Sequence, residues 1–229
     1  MKEVDKKQQD NVVLFPGSGE RRFQMVEASV LRRLDEQEGY AERLCTMLHA
    51  GTVAEQLAAV EQLTYIYDDA TITALRSYIE GERGDPVAKT LALRALKEQG
   101  QAGMIGVRKF GRLLTVDISE VPLDDGELPV GQAAVMHELE RVTEAHDASV
   151  LPLALQLWTT YFFMAYPLVP DVDAHGVGVW ASALHYAVTK LLGTGQTVER
   201  IADLYDVDGQ AVSRCYQELQ AVPGLISGG

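Results

Sequence analysis

Apolar residues recur every three or four positions along most of the chain, which is the period of an amphipathic α-helix. Residues 23–50 follow this pattern as two helices separated at Gly39, and three later stretches follow it at 131–143, 152–166 and 177–192. We therefore predict an all-α protein whose helices each bury one apolar face.

The helical period is interrupted after Gly111. There the apolar residues Leu114, Val116 and Ile118 alternate with the polar residues Thr115 and Asp117. A period of two residues is that of an extended chain, in which successive side chains point to opposite sides. We expect one extended arm or short strand near residues 113–118.

A cluster of proline, glycine and aspartate follows the arm and is typical of a linker. Its members are Pro122, Asp124, Asp125, Gly126 and Pro129. We place a domain boundary near residue 124, which separates a first helical domain at 23–123, including the arm, from a second at 124–229. Residues 1–22 form a predicted flexible tail. Its short apolar cluster at 12–16 is too late and too short for a signal peptide, and could dock on this chain or on a partner.

One uncharged stretch, residues 149–169, is almost long enough to cross a membrane. Gln156 and the prolines near both ends of the stretch argue against a membrane span, whereas a helix that is apolar all round is typical of the centre of a bundle. We expect the bundle, with a buried stripe that packs on Trp180 and Leu184. The stripe consists of Leu155, Trp158, Phe162 and Ala165.

Two segments 33 residues apart share a helix-opening pattern, at 52–63 and 85–96. The second begins with Asp85-Pro86, an N-cap residue followed by a residue suited to the first helical position. Alanine and leucine recur at matching positions, and a further helix is predicted from Thr71 to Glu80. Residues 52–110 thus resemble HEAT-type repeats, which implies a short α-solenoid of about two helix pairs. An ordinary bundle with alanine-rich faces is the alternative.

The most specific segment is 197–219. Thr197 and Asp208 are suited to cap two successive helices, and the small residue Ala202 stands where the two helices would cross. The segment resembles a helix-turn-helix. With Trp180 and the residues after it, the stretch from 158 to 219 also resembles the second half of the cyclin-box repeat of transcription factor IIB-type proteins.

The charge balance argues against nucleic acid as the partner. The chain has 20 Lys and Arg against 33 Asp and Glu, a net charge of -13. Residues 197–220 contain five acidic and two basic residues, a net charge of -3. Because phosphate repels such a face, we expect a protein partner, and a basic one if these acids make the contact.

The residues that we predict to bind this partner lie on the outer side of the helix-turn-helix. They are Asp203, Asp206, Asp208, Gln210 and Arg214. We interpret the chain as a non-enzymatic protein-interaction module or scaffold. The alternative is a transcription-associated regulator that contacts DNA or polymerase through this segment, with Arg214 reading a guanine edge.

We find no residues that predict catalysis, a cofactor or a metal. Asp171, Asp173 and His175 begin like a calcium loop, but the twelfth position is Ser182 rather than an acid. Cys45 and Cys215 lie far apart without metal-ligand spacing, which favours a reducing compartment. We therefore expect a cytoplasmic protein that is not an enzyme.

Overall fold

The computed structural model describes residues 20–226, without the side chains of residues 20–24 and 125. The predicted tail lies outside the described residues except for residues 20–22, which open the first helix. The described residues form ten α-helices, which confirms the prediction of an all-α fold. The helices are α1 (Glu20–Glu36), α2 (Tyr40–Ala50), α3 (Val53–Leu63), α4 (Asp69–Glu80), α5 (Pro86–Glu98), α6 (Val130–His146), α7 (Leu151–Ala165), α8 (Gly176–Leu191), α9 (Val198–Leu204) and α10 (Gly209–Ala221).

The extended arm is one half of a small hairpin. Strand β1 (Met104–Lys109) pairs antiparallel with β2 (Arg112–Asp117), with Ile105 opposite Val116. The resemblance to HEAT-type repeats implies that a helix follows α5, as α4 follows α3. The second predicted helix pair differs from this expectation, because α5 is followed by the hairpin and not by a helix. Gly100 and Gly103, both with positive φ, separate α5 from β1.

The described residues divide into two compact units. The first, which we call the repeat unit, comprises residues 20–127 and 163–169, and the second, the C-terminal unit, comprises 128–162 and 170–226. The division into independent domains near residue 124 stays a prediction.

The repeat unit buries the matching positions of its two copies alike. Ala59 and Leu63 of α3 are fully buried, as are Ala92 and Leu96 of α5. The small alanine side chains allow these two helices to pack against each other. Helix α5 begins with the cap that the sequence predicts, since the Asp85 carboxylate accepts from Val87 N and Ala88 N. Helix α3 is capped as well, by the Thr52 side chain, which accepts from Glu55 N.

Two lysines are buried in the repeat unit. Lys89 Nζ donates to Gly81 O (2.5 Å), just beyond the end of α4, and to Arg108 O (2.7 Å). Lys109 Nζ donates to Thr90 Oγ1 (2.5 Å) and to the last carbonyls of α7, Phe163 O (3.0 Å) and Met164 O (3.2 Å). Both amino groups thus donate to carbonyls at or just beyond the C-terminal ends of helices, which lack partners within the helix.

The C-terminal unit is organised around aromatic side chains of α7 and α8. Trp158 is buried, donates from Nε1 to Gln132 O (3.1 Å), and its ring centroid lies 5.5 Å from that of Trp180. Phe162, from the predicted stripe, is also buried, whereas Leu155 is only half-buried. The contact between α7 and Trp180 is therefore present. Within residues 20–226, no helix is both long and apolar enough to span a membrane.

Candidate protein-interaction surface

The candidate surface is built on α9 and α10. Thr197 Oγ1 accepts from Arg200 N (3.3 Å), so this residue caps α9 as the sequence predicts. Ile201 and Ala202 are buried on the inner side of α9. Val207 N donates back to Ala202 O (3.2 Å), which closes the chain tightly after the helix.

Asp206 occupies the sharpest point of the turn between the two helices. Its φ is +53°, the left-handed region that glycine adopts most easily and that Asp tolerates better than most residues. Here the same backbone conformation places an exposed carboxylate at the turn.

Asp208 begins α10 and has a structural role besides its charge. Its carboxylate accepts from Gln210 N (3.3 Å) and Ala211 N (3.1 Å), which satisfies two of the free N–H groups at the helix start. Val212 and Leu219 are fully buried, so they fix the inner side of α10.

The five predicted binding residues are all exposed. One lies on α9, one in the turn, one at the cap of α10 and two on the first two turns of α10. We call this set the acidic turn: Asp203, Asp206, Asp208, Gln210 and Arg214. Among the described side chains, none of its members forms an ion pair within 4.0 Å. The acidic turn therefore presents three carboxylates and one guanidinium to solvent.

A buried hydrogen bond fixes the inner side of the turn that carries the acidic residues. His185 Nδ1 of α8 lies 3.0 Å from Tyr205 Oη, and both side chains are buried. Burial lowers the pKa of His185, although the nearby Asp147 carboxylate opposes this shift. Burial also raises the pKa of Tyr205. The neutral pair therefore anchors the residue that directly precedes Asp206.

A glycine of α8 allows the turn to approach closely. A Cβ at Gly178 would lie 3.1 Å from Val207 Cγ1 and 3.6 Å from Tyr205 O. The sequence pattern does not reveal the roles of Gly178 and Tyr205. Neither residue belongs to a recognisable sequence motif. Their roles depend on the close approach of α8 to the turn, and these two elements are far apart in sequence.

The segment that begins like a calcium loop has a different local role. Asp173 Oδ1 accepts from Gly176 N (2.8 Å) at the start of α8. Among the described residues, no three His, Cys, Asp or Glu side chains are grouped closely enough to hold a metal ion.

Comparison with known proteins gives one informative similarity. The chain is 25% identical over 136 residues to the TPR repeat-containing protein YsoA of Bacillus subtilis (strain 168). The aligned region covers 58% of this chain and 38% of the relative, so the chain spans well under half of the relative's length. No family model matches the chain. No solved structure matches it at a significant level.

The similarity and the helical fold together indicate a helical repeat-like protein. They do not extend to the finer resemblances. The assignments to HEAT repeats, to a cyclin box and to a helix-turn-helix stay predictions.

Proposed function

We propose that this protein is a non-enzymatic interaction module of the cytoplasm that binds a basic segment of a partner protein on the acidic turn. The observation that carries the proposal is the exposure of all five predicted residues on one pair of helices whose inner faces are buried. The similarity to a TPR repeat-containing protein supports the same class, since stacked helical repeats provide binding surfaces rather than chemistry.

The charge of the acidic turn indicates the charge of the partner. Three carboxylates within six residues of sequence, from 203 to 208, are unpaired by nearby cations in the described structure. A Lys- or Arg-rich segment would bring the opposite charge to them. Association should then be fast at low ionic strength and should weaken as salt is added.

The test removes charge without removing structure. Asparagine tolerates the left-handed conformation at 206 and still caps a helix at 208, so the triple variant Asp203→Asn, Asp206→Asn, Asp208→Asn should keep the fold. We expect this variant to lose at least about tenfold in affinity for a lysine-rich synthetic peptide, measured by fluorescence polarisation. Its melting temperature should stay close to that of the unmodified chain.

The control carries the same change of charge elsewhere. The variant Asp35→Asn, Glu36→Gln, Glu38→Gln neutralises three exposed acids at the end of α1 and after it. If this control weakened peptide binding as much as the triple variant, only the net charge of the chain would matter. The proposal for the acidic turn would then be wrong.

A transcription-associated regulator is the second candidate. Arg214 is exposed on α10, and an exposed arginine can pair with the edge of a guanine. Titration with random and promoter-like DNA at several salt concentrations distinguishes the two functions. Micromolar, sequence-selective binding at physiological salt that is lost in Arg214→Ala would favour this second candidate.

A further inference from the structure

The tip of the β-hairpin has an unfavourable residue in an exposed position. Phe110 and Gly111 connect the two strands, and both have positive φ, at +50° and +72°. Two-residue hairpin turns with both φ values positive favour Asn-Gly, because a bulky side chain is strained in this region. Phe110 is nevertheless 44% exposed. Packing of the Phe110 ring therefore offsets only part of the free energy that its left-handed backbone conformation costs.

Two further apolar side chains are exposed on the outer face of the hairpin. Met104 is 64% exposed and Leu113 is 59% exposed, whereas Ile105 and Val107 of the inner face are buried. Gly106 leaves room for Leu113, since a Cβ at this glycine would lie 3.2 Å from Leu113 Cδ1. We call Met104, Phe110 and Leu113 the hairpin patch.

The strand beside this patch has a free edge. In the part of the chain that the structure describes, the sheet has two strands, and β2 pairs only with β1. Helix α4 packs on β1. A free edge presents backbone N–H and C=O groups that an additional strand can pair with, and neither a proline nor a lysine within Arg112–Asp117 blocks the pairing.

The charge at the tip is opposite to that of the whole chain. Arg112 is exposed just after the turn and Arg108 is half-exposed just before it. The register places Arg112 on the face that it shares with Lys109, and Arg108 on the opposite face with Leu113. Because the chain as a whole has a net charge of -13, a basic tip is a local exception. Its complement is an acidic segment.

We propose that an extended, acidic segment of a partner protein binds here as a third strand. Its backbone pairs with the free edge of β2, its apolar side chains contact Leu113 on the outer face and Phe110 at the tip, and its carboxylates lie on the opposite face near Arg112. This site belongs to the repeat unit and is independent of the acidic turn, which takes the opposite charge.

The probe is a synthetic eight-residue peptide in which Glu and Val alternate, compared with a Lys and Val peptide of the same length. Binding to the full chain is measured by fluorescence polarisation, and hydrogen exchange reports on the amides of β2. We expect saturable binding of the Glu peptide, weaker binding in high salt, and slower exchange at residues 112–117 when the Glu peptide is present.

Two variants separate binding from folding. Phe110→Asn removes the ring and gives the favoured Asn-Gly turn, so we expect an equal or higher melting temperature together with a loss of at least about tenfold in affinity. Arg112→Glu reverses the charge at the tip and should weaken binding similarly. Tyr67→Asn changes another strongly exposed ring of the repeat unit and should leave affinity unchanged.

Several outcomes would overturn the proposal. They are equal binding of the Lys peptide, full affinity in Phe110→Asn, unchanged exchange in β2, or no saturable binding of the Glu peptide at about 1 mM. Sedimentation of the chain alone provides a further test. A dimer that Phe110→Asn dissociates, with β2 already protected from exchange, would show that a second copy occupies the site and not an acidic partner.

Discussion

Lys109 shows how a single buried residue holds together parts of the repeat unit that are distant in sequence. Its ammonium group reaches Thr90 of α5 and the last carbonyls of α7, more than fifty residues further along the chain. Burial lowers the pKa of Lys109 to about 7, although the Asp85 carboxylate opposes this shift and Lys89 adds a smaller repulsion. Burial also lowers the pKa of Lys89 to about 8, and Arg108 adds a smaller repulsion. Both lysines therefore bind protons less tightly in the folded chain than in the unfolded chain.

This difference predicts how stability depends on pH. Between pH 7 and 9.5 the unfolded chain keeps the proton of Lys109, with a pKa near 10.4, while the folded chain releases it. The contribution of the two lysines to the free energy of unfolding should therefore rise with pH across this window, by about 1 to 3 kcal/mol, while the raised pKa values of Cys45 and Cys215 oppose the rise above about pH 8.5. Urea unfolding followed by circular dichroism at several pH values measures the change.

The matched variant is Lys109→Met, which keeps the length of the side chain but cannot titrate. Its stability should rise less between pH 7 and 9.5, with the remainder due to Lys89. The same rise in both proteins would show that Lys109 does not titrate in this range.

At the level of residues, the sequence allowed the caps to be predicted but not the buried polar contacts. Thr197, Asp208 and Asp85 were recognisable because a cap depends on neighbours two or three positions away. The hydrogen bond between His185 and Tyr205 joins residues that are 20 positions apart in sequence. No local sequence pattern indicates such a contact.

At the level of elements, periodicity predicted the helices well because most of them bury one apolar face. The uncharged stretch that could have been a membrane span forms α7, whose burial in the C-terminal unit involves Trp158 and Phe162. Periodicity missed β1, because its six residues include Gly106, whose missing side chain is explained only by Leu113 on the next strand. A strand of this length carries too few alternations to outweigh a helical interpretation.

The burial of α7 leads to a prediction for its core residue. Phe162 is only 3% exposed, so Phe162→Ala should leave a cavity and lower the free energy of unfolding by about 3 to 5 kcal/mol. Leu153 lies on the same helix but is 40% exposed, and Leu153→Ala should cost less than about 1 kcal/mol. Chemical denaturation of the two variants measures the contrast. Equal losses would show that Phe162 does not lie in a packed core.

At the level of the whole molecule, the two units are not consecutive in sequence. Residues 163–169 belong to the repeat unit, although 35 residues of the C-terminal unit, 128–162, stand between them and the rest of it. A linker such as 122–129 can be read from composition, but the return of a short segment to an earlier unit cannot. Only the contacts reveal it, through the hydrogen bonds of Thr90 and Lys109 to Phe163 O.

This arrangement predicts that a fragment ending at residue 127 is incomplete. It would lack Phe163 O and Met164 O, so Lys109 Nζ would keep only Thr90 Oγ1 of its three acceptors. The cation-π contact of Arg94 with the Phe163 ring, at 5.4 Å, would also be lost. We expect fragment 1–127 to be less stable than the same fragment fused through a flexible Gly/Ser linker to residues 163–169, by about 1 to 3 kcal/mol.

The control fusion carries residues 163–169 in scrambled order, which keeps the length and composition of the segment but not the place of the phenylalanine. Thermal unfolding of the three proteins gives the comparison. If the segment completes the repeat unit, only the native order should restore stability, because the ring must lie under Arg94 while the adjacent carbonyls reach Lys109. Equal stability of all three would mean that residues up to 127 fold without the segment, and that a cut near residue 124 is sufficient to separate the domains.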